Sequence, residues 1–301
     1  MPKFVINESF LEQVELLRLA LKDNVAGLFG GNHKSKAYGS SCEFADYRSY
    51  LPGDDISKID WNVFARFDQL FVKLFLDERQ MHTKIYIDAS ESMSFDDKDK
   101  QAILLASTLA YLSIKETDKV SIYYVQNKQV YEVVSSIVCL DSYLNSIYKL
   151  NDIEFKGESF LSEGIIPSNV GYGDGKSIII SDFLTDHNYF DMVNYLRSKK
   201  RDVLLIQVLS NEELDPIKKG KMIYYDAENK SSFYKKNIDK DVLNAYHQAL
   251  NYVIERNRDL CLSVEANYLL VNSKESLTDI FMKKMIEQGG GKINFCILLV
   301  Y

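Results

Sequence analysis

Apolar and polar positions along the chain follow two periods. Residues 7–22 repeat apolar side chains at spacings of three and four, with Phe10, Val14, Leu17 and Leu21 on one face, which predicts an amphipathic helix. From residue 84 onward, short apolar runs typical of buried strands alternate with longer helical patterns. Strands are predicted at 84–88, 119–125, 129–135, 176–181, 202–209 and 267–272, and helices at 102–115, 139–149, 188–199, 240–257 and 277–288.

This alternation of strands and helices predicts an α/β fold with a doubly wound, mostly parallel sheet. Two hairpins are expected within it, one around residues 126–128 and one joining the runs at 221–227 and 231–237. In such folds, ligands bind at the carboxyl ends of the strands. Asp88 ends the strand predicted at 84–88 and Asp182 follows the strand at 176–181, so these two carboxylates mark the candidate site.

The segment between the first helix and the regular region has a different character. Residues 23–66 contain many charges and several glycines with little periodicity, which predicts a long irregular segment, followed by a strand at 70–76. We therefore expect residues 1–80 to form an N-terminal helix plus an extension that packs on the main domain. Residues 81–301 are expected to form that main domain.

Composition narrows the function classes. The 301 residues carry a formal net charge of −7, with no basic cluster of the kind that nucleic-acid binding requires. The four cysteines have no CxxC spacing, which indicates reduced thiols in a reducing compartment. Because neither a signal peptide nor an apolar run of membrane-spanning length is present, a cytoplasmic protein is expected. The apolar end at 293–301 is interpreted as a strand or a packed tail.

The segment IYIDASESMSFDD, residues 85–97, places Asp88, Ser90 and Ser92 at alternate positions just after an apolar strand. Three interpretations are open at this point: helix capping, a nucleophilic aspartate, or ligands for a metal ion. The nucleophile is disfavoured because Ser90 stands where a second acid would be needed. Carboxylate and hydroxyl oxygens suit a hard cation, Mg²⁺ before Mn²⁺ or Ca²⁺, and two carboxylates would leave the ion electrophilic.

These residues resemble the metal-ion-dependent adhesion site of von Willebrand factor A domains. Asp88 matches the leading aspartate of that motif, Ser90 and Ser92 match its paired serines, and Asp182 matches its distal aspartate. Ser159 falls where the family usually has threonine, and Phe160 replaces the aspartate that follows it. The resemblance implies a metal site formed by Asp88, Ser90, Ser92, Ser159 and Asp182.

Residues 30–79 resemble the domain of unknown function 58 family more specifically. The matching positions include Gly39, Glu43, Phe44, Arg48, Tyr50, the run Pro52-Gly53-Asp54-Asp55, Ile59-Asp60-Trp61, Ala65-Arg66 and Val72-Lys73. Ser57 departs from the basic residue expected there. Genes of this family often accompany MoxR-type AAA+ ATPases, which implies such an ATPase or its client as the partner.

The matching residues of this extension have a structural or docking role in our interpretation. Pro52-Gly53 is a turn signature, and Asp54 or Asp55 can accept hydrogen bonds from turn amides. Arg48 and Arg66 are expected to pair with Asp54, Asp55 or Asp60, and Trp61 is interpreted as a packing anchor.

Together these features predict a non-enzymatic adaptor that binds an acidic residue of a partner through Mg²⁺. Two alternatives stay open. One is a metal-assisted hydrolase of the phosphatase kind, which would need a general base near Asp88. The other is a structural interaction domain whose metal site has degenerated, an alternative that Phe160 supports.

Overall fold

A computed structural model describes residues 6–28, 44–75, 81–168, 170–173, 175–185, 187–216, 220–225 and 233–285. The chain divides into two compact units, residues 1–25 with 81–301 and residues 26–80. Most of the N-terminal helix lies in the larger unit, and the predicted division into residues 1–80 and 81–301 stays a prediction.

A six-stranded sheet forms the centre of the larger unit. Its strands are β3 (His82–Asp88), β4 (Lys119–Gln126), β5 (Gln129–Ile137), β6 (Lys176–Ser181), β7 (Asp202–Leu209) and β10 (Asn267–Asn272). Their order is β10-β7-β6-β3-β4-β5, and every neighbouring pair is parallel except β4 and β5, which form the predicted antiparallel hairpin. The predicted fold class, α/β with a doubly wound and mostly parallel sheet, is confirmed.

Helices cover both faces of this sheet. They are α3 (Lys98–Lys115), α4 (Leu140–Ser146), α5 (Leu161–Ile165), α6 (Phe190–Ser198), α7 (Asn211–Leu214), α8 (Lys240–Ser263) and α9 (Leu277–Asp279). Successive strand residues point to opposite faces. In β3, Ile85 and Ile87 pack in the core that contains α3, whereas Tyr86 packs in the core that contains α6. Burial on both faces explains the continuous apolar runs of β6 and β7.

The N-terminal helix α1 (Glu8–Leu28) contributes its predicted apolar face to the larger core. Phe10, Val14, Leu17 and Leu21 are each at most 6% exposed and pack with the α3 side of the sheet. Burying each of these side chains stabilises the fold by about 1.5–3 kcal/mol relative to exposure. The helix is therefore held by its apolar stripe, as its sequence period predicted.

The prediction of an irregular segment over residues 23–66 is wrong for the described part of that range. Besides the longer α1, the range contains β1 (Phe44–Ser49), a 3-10 turn (Ile56–Lys58) and helix α2 (Trp61–Phe67). Strand β1 pairs antiparallel with β2 (Phe71–Phe75) across a register shift. The apolar periodicity of the sequence did not reveal β1, because this short strand is defined by pairing with a distant segment and not by alternating apolar and polar residues of its own.

Other local expectations have mixed outcomes. The second hairpin is confirmed as β8 (Gly220–Tyr225) paired with β9 (Phe233–Ile238). After α9 the chain forms a π-helical segment, Ile280–Met285, and the predicted end at Gly289 and the tail 293–301 lie outside the described residues. Among the helices in the described part of the chain, none combines the length and apolar character needed to cross a bilayer.

Candidate functional site

The candidate site lies where the strand order reverses. From β3 the chain crosses to β4 on one side, and after β5 it returns to β6 on the other side, so the crevice of the doubly wound sheet opens between β3 and β6. Ile87 pairs with Ile180 across these strands, and Asp88 and Asp182 follow at their carboxyl ends. The sequence therefore identified the two strand ends that border the crevice.

Asp88 is 5% exposed and held in place by its neighbours. Its Oδ1 accepts a hydrogen bond from the Ser90 backbone N–H at 3.0 Å, and its Oδ2 accepts one from the Ser181 hydroxyl at 2.6 Å. The Ser90 and Ser92 hydroxyl oxygens lie 3.1 Å apart, so the two predicted hydroxyl ligands converge next to this carboxylate. The segment therefore presents one carboxylate and two hydroxyls together, as its alternate spacing predicted.

Two buried carboxylates influence each other at this edge of the sheet. Burial and, after it, the negative charge of Asp182 raise the pKa of Asp88 to about 6, against hydrogen bonds from Ser181 and Ser90 that favour the ionised form. Both causes act against the ionised carboxylate, because burial removes water from it and Asp182 adds a like charge. A cation bound here would lower the pKa of Asp88 again.

Ser159 is brought to the same edge by backbone hydrogen bonds from its loop. Lys156 N–H donates to the Ala89 carbonyl at 3.0 Å, and Glu91 N–H donates to the Gly157 carbonyl at 2.8 Å, which ties this loop to the Asp88 loop. The Ser159 side chain is 8% exposed, and its hydroxyl donates to the Val125 carbonyl over a long 3.4 Å. Ser159 thus borders the site while its hydroxyl makes only a weak bond elsewhere.

Asp182 has a cationic partner that the sequence did not reveal. The Lys98 ammonium lies 2.8 Å from Asp182 Oδ2 and 2.6 Å from Glu213 Oε1, and the Lys98 side chain is only 1% exposed. Burial alone would lower the pKa of Lys98, but the two carboxylates outweigh it and raise that pKa. Lys98 therefore stays charged and links the first turn of α3 to the end of β6 and to α7.

One local signal could have drawn attention to Lys98. It is the first residue of α3, where the helix dipole disfavours a cation, so a lysine at this position needs a compensating anion. Glu213 carried a signal of a different kind. Ser210 and Glu213 form a capping box at the start of α7. Because capping already accounts for a glutamate at this position, the sequence gives no sign of its ion pair with Lys98.

The charged groups around these two strand ends do not balance one another. The formal charge of this cluster is −2, from the carboxylates of Asp88, Asp182 and Glu213 and the ammonium group of Lys98. One divalent ion would balance this charge. Within the described residues no group of three or more His, Cys, Asp or Glu side chains is arranged to hold a metal ion. The candidate set instead combines two carboxylates with serine hydroxyls, the oxygen donors that Mg²⁺ prefers.

A cleft of about 540 Å³ adjoins this site. Asp88 and Ser159 line part of it, and its other lining residues are 160–163, 166, 167, 185, 187–189 and 191. Phe160, which replaces the expected aspartate, packs against His187 with ring centroids 4.2 Å apart and ring planes tilted by 36°. Phe160 thus forms part of the wall of this cleft.

The family-motif residues of the smaller unit mainly stabilise turns. Arg48 pairs with Asp54 at 2.8 Å, and Asp54 also accepts from the Leu51 N–H, as predicted for a turn carboxylate. Asp55 caps the following 3-10 turn, and Gly53 has a φ of +107°, a conformation that suits glycine.

Asp60 and Trp61 differ from expectation. Asp60 caps α2, accepts from the Tyr47 hydroxyl at 2.8 Å and lies 3.1 Å from the Lys73 ammonium, so its cationic partner is a lysine. The Tyr47 hydrogen bond and Lys73 lower the pKa of Asp60 to about 2.

Trp61 is 57% exposed, so the interpretation as a packing anchor is wrong. Arg66 lies in the last turn of α2, and Glu43 lies outside the described residues.

Comparison with known proteins gives related sequences without an assigned activity. Residues 46–152 match the family model described as "Protein of unknown function DUF58". Uncharacterised proteins of Mycobacterium tuberculosis and Mycobacterium bovis are each 24% identical over 219 residues, which cover 70% of this chain and 69% of theirs.

Similar solved structures include two with low sequence identity. One is an aerotolerance-related membrane protein from Bacteroides fragilis, 16% identical, covering 69% of this chain and 97% of that chain with a TM-score of 0.38. The other is the SpRpn10 VWA domain, 10% identical, covering 66% of this chain and 92% of that chain with a TM-score of 0.37. The family match confirms the resemblance predicted from the sequence: over residues 46–152 this chain carries the sequence pattern of the DUF58 family.

Proposed function

We propose that this chain is a non-enzymatic interaction protein that binds an acidic residue of a partner protein through a divalent metal ion. Asp88, Ser90 and Ser92 would hold the ion, with Asp182 and Ser159 completing its surroundings. Mg²⁺ is the expected ion, and Mn²⁺ or Ca²⁺ are substitutes with the same oxygen chemistry. A bound ion would supply a positive charge and an open coordination position for the carboxylate of the partner.

The observation that carries this proposal is the uncompensated negative charge at the switch point. Asp88 accepts hydrogen bonds at both oxygens, and yet its pKa is raised, first by burial of the carboxyl group and then by the negative charge of Asp182. The paired hydroxyls of Ser90 and Ser92 lie beside it at the open edge of the sheet. Lys98 forms an ion pair with Asp182 and balances part of the negative charge, so the charge that remains would favour a divalent ion.

Isothermal titration calorimetry with Mg²⁺ and Mn²⁺ tests the metal site. Wild type should bind one ion, and Asp88→Asn and Ser92→Ala should each weaken binding by tenfold or more, since each removes a direct oxygen ligand or its charge. Ser92→Ala is included because this side chain is only half-buried and its loss should not prevent folding. Asp141→Asn, at an exposed position in α4, is the matched control. Equal metal binding in Asp88→Asn and wild type would contradict the proposal.

The partner that we propose is a MoxR-type AAA+ ATPase or its client, as the family resemblance implies. Binding between this chain and the purified MoxR-type ATPase of the same organism should be lost in EDTA and in Asp88→Asn, and restored by Mg²⁺ in wild type alone. Binding that is insensitive to both changes would indicate a metal-independent interaction domain. The cytoplasmic location predicted from the sequence stays a prediction.

A metal-assisted hydrolase is the second candidate, because His187 lines the same cleft as Asp88. Histidine is the commonest general base, which the sequence alone had not placed near Asp88. The imidazole ring of His187 packs against the Phe160 ring. A phosphatase screen with added Mg²⁺ separates the two functions, because turnover that is abolished in both Asp88→Asn and His187→Asn would favour the hydrolase.

A further inference from the structure

The cleft beside the metal site has a defined shape, because its two walls are bonded to each other. The Ser162 hydroxyl on one wall donates to the Asn188 carbonyl on the other at 2.7 Å. The Phe160 and His187 rings are in contact across the same gap, with their planes tilted by 36°. His187 N–H also donates to the Thr185 hydroxyl at 3.2 Å, which fixes the turn that carries the imidazole. The walls are therefore arranged before any ligand enters.

The lining of the cleft is acidic. Asp88, Glu163 and Asp191 contribute carboxylates, and no lysine or arginine is among the described residues that line it. The Lys128 ammonium lies 2.6 Å from the Glu163 carboxylate, but these side chains are 61% and 52% exposed. An ion pair this exposed contributes little and is readily exchanged for another cation. Negative charge inside a concave surface attracts a positively charged ligand.

The Phe160 ring adds a second preference for cations. The Lys128 ammonium lies 5.0 Å from the centroid of the Phe160 ring, so this ring already has a cation over it. Tyr189 is 5% exposed on the opposite wall, where its hydroxyl donates to Asn257. A planar guanidinium can stack on a ring and donate to carboxylates at once, whereas an ammonium does so less well. The volume of about 540 Å³ is ample for one long side chain and its flanking backbone.

We propose that this cleft binds a basic side chain of the protein partner, arginine in preference to lysine. The inference deepens the proposed function: an acidic residue of the partner would lie at the metal, and a basic residue near it would enter the cleft. Glu163 and Asp191 belong to the cleft and not to the metal site, so the two halves of this recognition can be tested separately.

Saturation-transfer NMR tests the cleft with N-acetyl-arginine amide and with N-acetyl-citrulline amide, its neutral isostere. The experiment is run in EDTA on the full chain, at ligand concentrations up to about 10 mM, which covers millimolar affinities. The arginine probe should bind and the citrulline probe should bind at least several-fold more weakly. The double variant Glu163→Gln, Asp191→Asn should reduce arginine binding roughly tenfold, because it removes two charge-assisted acceptors.

The control is a double variant with the same change in net charge outside the cleft, Asp141→Asn with Glu154→Gln, which should bind arginine as wild type does. Equal binding of citrulline, an equal loss in the control variant, or no arginine binding within this range would each overturn the inference. Because metal is absent throughout, these results are independent of the calorimetric test. A protein that binds arginine but no metal would retain the cleft and lose the proposed function.

Discussion

Replacing Lys98 by methionine should destabilise the larger unit strongly. Methionine has a similar length and keeps the core filled, so the change mainly removes the charge. The Lys98 side chain is 1% exposed, and that of its partner Asp182 is 4% exposed. Without Lys98, the Asp182 carboxylate would therefore have almost no water to solvate it. Removing one partner of such a buried pair costs about 3–5 kcal/mol. This loss is a large share of the ~5–15 kcal/mol by which typical domains are stable.

The assay is urea denaturation in EDTA, followed by circular dichroism, for wild type, Lys98→Met and Lys100→Met. Lys100 lies on the same helix and pairs with Asp97 at 2.5 Å, but its side chain is 37% exposed. Removing this surface pair should change the free energy of unfolding by about 0–1 kcal/mol. Lys98→Met combined with Asp182→Asn should recover part of the stability, because the buried negative charge is then removed as well.

Equal stability of Lys98→Met and Lys100→Met would refute this reasoning, since it would mean that the Asp182 carboxylate is solvated or neutral in the native protein. Addition of Mg²⁺ provides a further readout. If the metal site exists, Mg²⁺ should stabilise Lys98→Met more than wild type, because the variant has one more uncompensated negative charge near Asp88.

Three further predictions concern residues away from the metal ligands. Burial, helped by nearby cations, lowers the pKa of His82 to about 4, so between about pH 6.5 and 4 the unfolded chain binds the extra proton. The free energy of unfolding should therefore fall as the pH drops through this window. In urea titrations at pH 7, 6 and 5, His82→Gln should show a shallower fall than wild type. An equal dependence on pH in both proteins would contradict this prediction. Ser210→Ala should lower the free energy of unfolding by about 1 kcal/mol, because it removes the capping box at α7, and Ser210→Asn should largely restore it. Gly175→Ala should cost about 1–3 kcal/mol, because the new Cβ would lie 2.7 Å from the His82 carbonyl oxygen and 2.8 Å from the Arg201 guanidinium; a melting temperature equal to wild type would show that this contact relaxes.

Periodicity predicted the larger unit well for a physical reason. Strands buried on both faces must be apolar throughout, and helices that cover a sheet must carry an apolar stripe, so both are visible in the local pattern. The ranges 176–181, 202–209 and 267–272 coincide with β6, β7 and β10. In the smaller unit the strand predicted at 70–76 is present as β2, whereas β1 was missed because it is short and is defined by its pairing with β2.

The sequence by itself determined the two strand-end carboxylates and the hydroxyls beside Asp88, because parallel strands bring their carboxyl ends to one edge wherever they occur in the chain. Only the tertiary structure decided which charges balance them. Lys98 meets Asp182 across 84 residues and Glu213 across 115, and no local pattern specifies a contact between side chains so far apart. The same holds for the cleft, where Phe160 meets His187, and for Trp61, whose exposure depends on how the chain packs around it.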